Sequence, residues 1–159
     1  MAAGAKLGIK CVAYYNTGTY GTPVWTAITC INDFTQSVEW DEAEVLYRGT
    51  RVKQAVKTLL GLSWSGKLKV SDTDTAYQAI MAALVSDSTL DMMILNGDKT
   101  TNNVIGYRCD VQVFSATEDQ GTGVVLYDEV KFKPSPMGGN APSSVLVTTG
   151  APVFTALAF

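Results

Sequence analysis

Residues 62–71 read Leu62-Ser63-Trp64-Ser65-Gly66-Lys67-Leu68-Lys69-Val70-Ser71. Leu62, Trp64, Leu68 and Val70 alternate with Ser63, Ser65, Lys67, Lys69 and Ser71. Successive side chains of an extended chain point to opposite faces, so this stretch predicts a strand with one face in a core and the other in water. The same alternation recurs on both sides of it. Phe34, Val38 and Trp40 oppose Thr35, Ser37, Glu39 and Asp41; Tyr107, Cys109, Val111 and Val113 oppose Arg108, Asp110 and Gln112. Val130 and Phe132 oppose Glu129, Lys131 and Lys133, after which Pro134 and Pro136 end the last core strand, because proline cannot donate to a ladder. Repeated period-two segments predict a mainly β chain, a β-sandwich or half-barrel of antiparallel strands.

Further strands are expected at Leu7 to Tyr15, Val24 to Ile31, Val52 to Leu60 and Leu90 to Leu95, the last apolar on both faces and therefore covered on both sides or close to a subunit contact. One α-helix is expected at about residues 74–86. Ser71, Asp72 and Thr73 precede it as caps, Asp74 suits the positive helix end, and Tyr77, Ile80 or Met81, and Leu84 recur at helical spacing. Asn16 to Thr22 reads as a hairpin tip, Asp41 to Thr50 as a long acidic loop, and Gly97 to Asn103 and Glu118 to Gly123 as turns. The chain divides into a β domain over residues 1–137 and a C-terminal extension over residues 138–159. Gly138, Gly139 and Pro142 connect to an apolar end carrying Val153, Phe154, Leu157 and Phe159, which is expected to pack on a neighbouring subunit or to pair as an added strand.

Composition narrows function. The 159 residues, 47% of them hydrophobic and 17% charged, suffice for one domain and resemble neither a disordered chain nor a two-domain one. No histidine is present, which removes Ser-His, Cys-His and His-metal chemistry together. Cys11, Cys30 and Cys109 have neither disulfide-framework nor zinc spacing and read as buried free thiols, and no glycine motif forms a phosphate cradle. No cofactor or metal is expected. A formal net charge of −3 argues against a protein that grips nucleic acid. Apolar runs are too short to cross a bilayer, and Lys6 and Lys10 interrupt any secretory core, so no membrane association is expected. The acidic stretch Glu39, Asp41, Glu42 and Glu44 reads as a solvated face rather than a glycosidase dyad.

Five stretches carry a resemblance. They are Leu62 to Val70, a helix containing Tyr77-Gln78-Ala79-Ile80 and Leu84, Asp91-Met92-Met93-Ile94-Leu95, Gly106-Tyr107-Arg108-Cys109-Asp110-Val111-Gln112-Val113, and Glu129-Val130-Lys131-Phe132-Lys133-Pro134. Their order resembles the tail tube, or major tail protein, family of long-tailed bacteriophages. The resemblance implies a tail-tube-like fold whose subunits close into hexameric rings that stack into a hollow tube. It further implies a tape measure protein within the tube, terminator and initiator proteins at its ends, and passage of genomic double-stranded DNA at ejection. Location in the virion tail, after assembly in the host cytoplasm, follows from the same resemblance.

On that basis the wet strand faces nominate Ser37, Glu39, Arg108, Asp110, Gln112, Glu129 and Lys131 as lumen-facing residues of mixed, on balance acidic, charge, or equally as residues of the outer surface, since the sequence does not separate the two faces. Asp41, Glu42, Glu44 and Arg48 are the candidates for an inter-ring loop. Val153, Phe154, Leu157 and Phe159 are those for an inter-subunit tail. Two rival readings are a head decoration or other β-rich virion protein, and a carbohydrate-binding or adhesin-like sandwich stacking sugars on Trp25, Trp40 and Trp64. Trp40 and Trp64 fall on apolar strand faces, which predicts core positions and disfavours sugar binding.

Overall fold

The alternation of Leu62, Trp64 and Leu68 becomes the centre of the fold. All three are buried, and the intervening Ser63, Ser65, Lys67 and Lys69 lie on the opposite, wetter face. The computed structural model describes residues 11–45, 54–119 and 127–157. Nine strands are found there: β1 Val12–Asn16, β2 Trp25–Ala27, β3 Ile31–Val45, β4 Gln54–Lys69, β5 Leu90–Leu95, β6 Ile105–Asp119, β7 Tyr127–Pro134, β8 Ser143–Thr148 and β9 Ala151–Ala156. One helix, α1, spans Thr75–Ser86 between β4 and β5.

All pairings are antiparallel, in the order β2-β1-β5-β6-β7-β4-β3, with β8 pairing β6 and β9 pairing β8. The long strand β6 belongs to two layers. Its first half, Ile105 to Arg108, pairs β8 while Gly106 to Val111 pair β5; its second half, Val111 to Asp119, pairs β7. Trp64, Phe132, Leu68, Val111, Met92 and Ile80 fill a main core between the layers and under α1, where Ala76, Ile80 and Ala83 form the buried helix stripe. A second core, with Met93, Leu95, Val104, Val145 and Val147, lies on the other face of β5 and β6.

Several expectations need correction. The strands expected at Val52 to Leu60 and at Leu62 to Val70 are joined in one strand, β4, from Gln54 to Lys69, because Gly61 stays extended opposite Glu39; Val52 and Lys53 lie outside the described residues. Asp41 to Val45 continue β3 instead of entering a loop, since Glu42, Ala43 and Glu44 remain in register with Lys57, Val56 and Ala55. Trp40 is 39% exposed, because the β3–β4 ribbon outruns its cover there. Asp74 itself caps α1, its carboxylate accepting from the amides of Ala76 and Tyr77 at 2.8 and 3.1 Å. Cys11 is exposed, whereas Cys30 and Cys109 are buried and unbridged. The expectation of a strand covered on both sides at Leu90 to Leu95 holds: Met92 and Ile94 enter one core, Met93 and Leu95 the other. Residues 7–10, and the tip of the acidic stretch with Arg48, lie outside the described residues.

Pro134 does end β7, yet the chain does not stop contributing there. Beyond a 3-10 turn at Pro136–Gly138, β8 and β9 form a hairpin around Thr149 and Gly150, both at positive φ (52° and 75°). That is the turn twist a two-residue hairpin requires. The hairpin adds to the sheet of its own chain through β6, so Phe154 and Leu157 pack internally. The reason is period two again: Val145 and Val147 alternate with Ser144, Leu146 and Thr148 and supply the second core. Val153 stays 49% exposed, and Phe159 lies outside the described residues.

Candidate assembly and lumen surfaces

The second half of β6, with β7, β4 and β3, makes a four-stranded sheet with one buried and one wet face. Lys67 is opposite Glu129, Ser65 opposite Lys131, and Lys131 in turn opposite Ser115 of β6. Ser37 donates to Glu39 Oε1 at 3.0 Å on the same face. The wet face carries Lys67, Lys69, Lys131 and Lys133 against Glu39, Asp41 and Glu129, all exposed. Among the described side chains it is close to balanced. Glu39, Glu129 and Lys131 are therefore brought together with Ser37, and Gln112 lies partly exposed at the start of the β6 half, donating to Asp87 at 2.9 Å.

Arg108 and Asp110 do not join them. They are 3% and 4% exposed, because the C-terminal hairpin and the β1–β2 hairpin cover this face of the first half of β6. Arg108 donates from Nε and Nη2 to the two carboxylate oxygens of Asp91 at 3.0 and 2.7 Å, and to the Tyr20 carbonyl at 2.9 Å. Its guanidinium carbon lies 3.7, 4.6 and 5.0 Å from the ring centres of Tyr20, Phe154 and Trp25. A planar, weakly hydrated cation suits such a stacked, bidentate position. Asn16 adds a third bond to Asp91 at 2.9 Å, and Asn140 donates to Asp110 at 2.8 Å. Beside the cage the buried Trp25 indole N–H has no acceptor among the described residues. The arrangement is a staple joining three segments of one chain.

The burial of Cys30 raises its thiol to about 11, with the charge of Asp74 adding to the effect, and burial holds the Cys109 thiol still higher. Both thiols are neutral under ordinary conditions, which suits packing and not nucleophilic chemistry. Asp41, Glu42 and Glu44 are exposed along the distal β3–β4 ribbon, where Lys57 Nζ lies 5.5 Å from the centre of the Trp40 ring.

The four-stranded sheet has two open edges among the described residues. No strand pairs the outer side of β3, and the β5 side of β6 is unpaired beyond Val111. Open edges of this length invite pairing with another chain.

Backbone comparison with solved structures decides the fold. A subunit in the tail of an empty gene transfer agent particle, reconstructed with C6 symmetry, superposes with a TM-score of 0.66 over 96% of this chain and 100% of its own, at 13% identity. The chain has the tail-tube fold. The SPP1 tail tube protein shares the tail-tube fold at a TM-score of 0.68 and 8% identity, covering 96% of this chain and 80% of its own. So does a chain of the sheath–tube complex of an extracellular contractile injection system, at 0.57 and 9% identity over 98% and 95% of the two chains. No family model matches the sequence and no curated protein matches it. The tail-tube fold spans the C-terminal hairpin as well as the central sheet, since the coverage of this chain reaches 96%.

Proposed function

We propose that this chain is a structural tail tube subunit of a bacteriophage-like particle. The observation that carries the reading is the four-stranded sheet with two open edges and one wet face, set within a tail-tube fold. Four is an even number of strands. When copies follow one another head to tail, β3 of one therefore meets the second half of β6 of the next in antiparallel sense, and the alternation runs unbroken around a ring.

Six copies give a barrel of roughly 24 strands, roughly 40 Å across at the backbone from the strand spacing, wide enough for a DNA duplex. The wet face with Ser37, Glu39, Gln112, Glu129 and Lys131 lines this lumen, joined by Lys67 and Lys133. Near-balance of lysines and carboxylates matters there. Each phosphate neutralised by a cation adds counterion-release affinity, so a mixed Ser, Lys and Glu face lets DNA pass without holding it. A tape measure protein occupies the lumen before ejection. Asp41, Glu42 and Glu44 on the distal ribbon, with Arg48, reach the adjoining ring, and terminator and initiator proteins close the tube. The assembly belongs to the virion tail and forms in the host cytoplasm; no described helix is long and apolar enough to cross a membrane.

Negative-stain electron microscopy beside light scattering tests this reading on purified protein at rising concentration. Hollow tubes of uniform width are the expected result. A strictly monomeric or trimeric species, even with tail initiator proteins added, overturns it and favours the decoration-protein alternative.

A further inference from the structure

The cations of the wet face are not spread evenly over it. Register across β6, β7, β4 and β3 sets one row as Ser115, Lys131, Ser65 and Thr35; in the next row Gln112 stands opposite Lys133, and Ser63 opposite Ser37. Neither row holds a carboxylate. One row farther back, by contrast, Lys67 is directly opposite Glu129. Lys131 and Lys133 are exposed and have no ion-pair partner among the described residues. Both line a shallow depression of about 170 Å³ together with Thr35, Ser37, Ser63 and Ser65. Lys133 Nζ also lies 5.7 Å from the centre of the Phe114 ring, which the register shift between Val113 and Ser115 leaves 58% exposed. That ring orients the ammonium without neutralising it.

Two unpaired ammonium groups, on positions about 7 Å apart along one strand and set among hydroxyls that donate, suit the phosphate backbone of a nucleic acid. We infer that Lys131 and Lys133, with Ser63 and Ser65, form a belt that contacts the phosphates of duplex DNA. The partner follows from charge and regularity. Repeated by every copy at one level of a ring, the pair matches a partner whose anions recur evenly around its circumference, as duplex phosphates do. The contact is brief by construction. A lysine ammonium is a hydrated point charge on a flexible stem, and each copy neutralises only about two phosphates. Glu39 and Glu129 in the flanking rows repel the next ones. This inference rests on the tube reading for the belt's place in a lumen, and adds which residues touch the DNA.

Amide NMR spectra of the unassembled subunit, titrated with a short DNA duplex at low salt, test it without requiring tubes. Shifts are expected at residues 63–65, 115 and 131–133. In the double variant Lys131→Gln with Lys133→Gln these shifts should vanish, the melting temperature should hold, and the slope of log affinity against log salt should fall by about two. Lys69→Gln, outside both rows, should leave the slope unchanged. Absence of any shift, shifts spread evenly over the lysines of the sheet, or an unaltered slope in the double variant overturns the inference. Stronger perturbation by poly-glutamate than by duplex of equal charge also overturns it, and assigns the belt to an acidic polypeptide. The two readings fail separately: tubes without duplex binding refute the belt alone, and a chain that never forms tubes refutes the tube reading whatever the titration shows.

Discussion

Replacing Asp91 by alanine leaves the Arg108 guanidinium buried at 3% exposure, with the Tyr20 carbonyl as its remaining hydrogen-bond partner. Breaking a buried ion pair by removing one member costs about 3–5 kcal/mol. The Asp91 side chain retains 12% exposure, so the lower end applies, about 3 kcal/mol. For a domain of this size that corresponds to a fall in melting temperature of about 6–12 °C. Arg108→Ala should cost at least as much, because it also removes the stacking against Tyr20 and Phe154. The double variant should be less damaged than the sum of the two, by about 2 kcal/mol, since no unpaired buried charge remains. Thermal and urea unfolding followed by circular dichroism give all three values. A loss below about 1 kcal/mol for Asp91→Ala, or additivity within about 0.5 kcal/mol, would refute the staple.

Three further outcomes are expected. Gly106→Ala places a Cβ 1.9 Å from the Ile94 carbonyl oxygen, where only backbone can move, so the variant should lose more than about 3 kcal/mol or fail to fold; a wild-type melting temperature would contradict the packing. Deletion after Asn140 removes Val145, Val147 and Phe154 from the second core, at about 1.5–3 kcal/mol for each buried side chain, and should yield insoluble protein; a soluble product melting like the full chain would show that the hairpin is dispensable. The raised thiol of Cys30 means that the folded state keeps its proton when the unfolded state loses it. Stability from this group is present below pH 9, falls as the pH rises, and is lost by about pH 11. Cys30→Ala should flatten the decline in melting temperature over that window, and an unchanged slope would count against it.

Period two made the central sheet legible. Leu62, Trp64, Leu68, Val130 and Phe132 all entered the core as their alternation required, and so did the helix stripe at Ile80. The same rule misled where cover, rather than alternation, decides burial. Arg108 and Asp110 alternate with Cys109 and Val111, yet both faces of that half of β6 are covered. Trp40 alternates as a core residue, yet it stays 39% exposed. That the C-terminal segment pairs as an added strand on its own chain, rather than on a neighbour, is not legible in the sequence, because Thr149-Gly150 is a weak turn signal and the pairing partner, β6, is distant in sequence. Of the lumen candidates, the exposed Glu39, Glu129 and Lys131 and the half-buried Ser37 were readable from polarity alone. Lys67 and Lys133, visible as wet-face residues, were placed beside them only by the β4–β7 and β6–β7 registers.

Cryo-electron microscopy of tubes assembled from the purified chain tests the central claim most directly. The account predicts six copies per ring, with the outer edge of β3 paired to residues 112–119 of the neighbouring copy's β6 and with Glu39, Glu129 and Lys131 pointing into the lumen. A ring closed through other strands, or a lumen lined by the opposite face of the sheet, would contradict it.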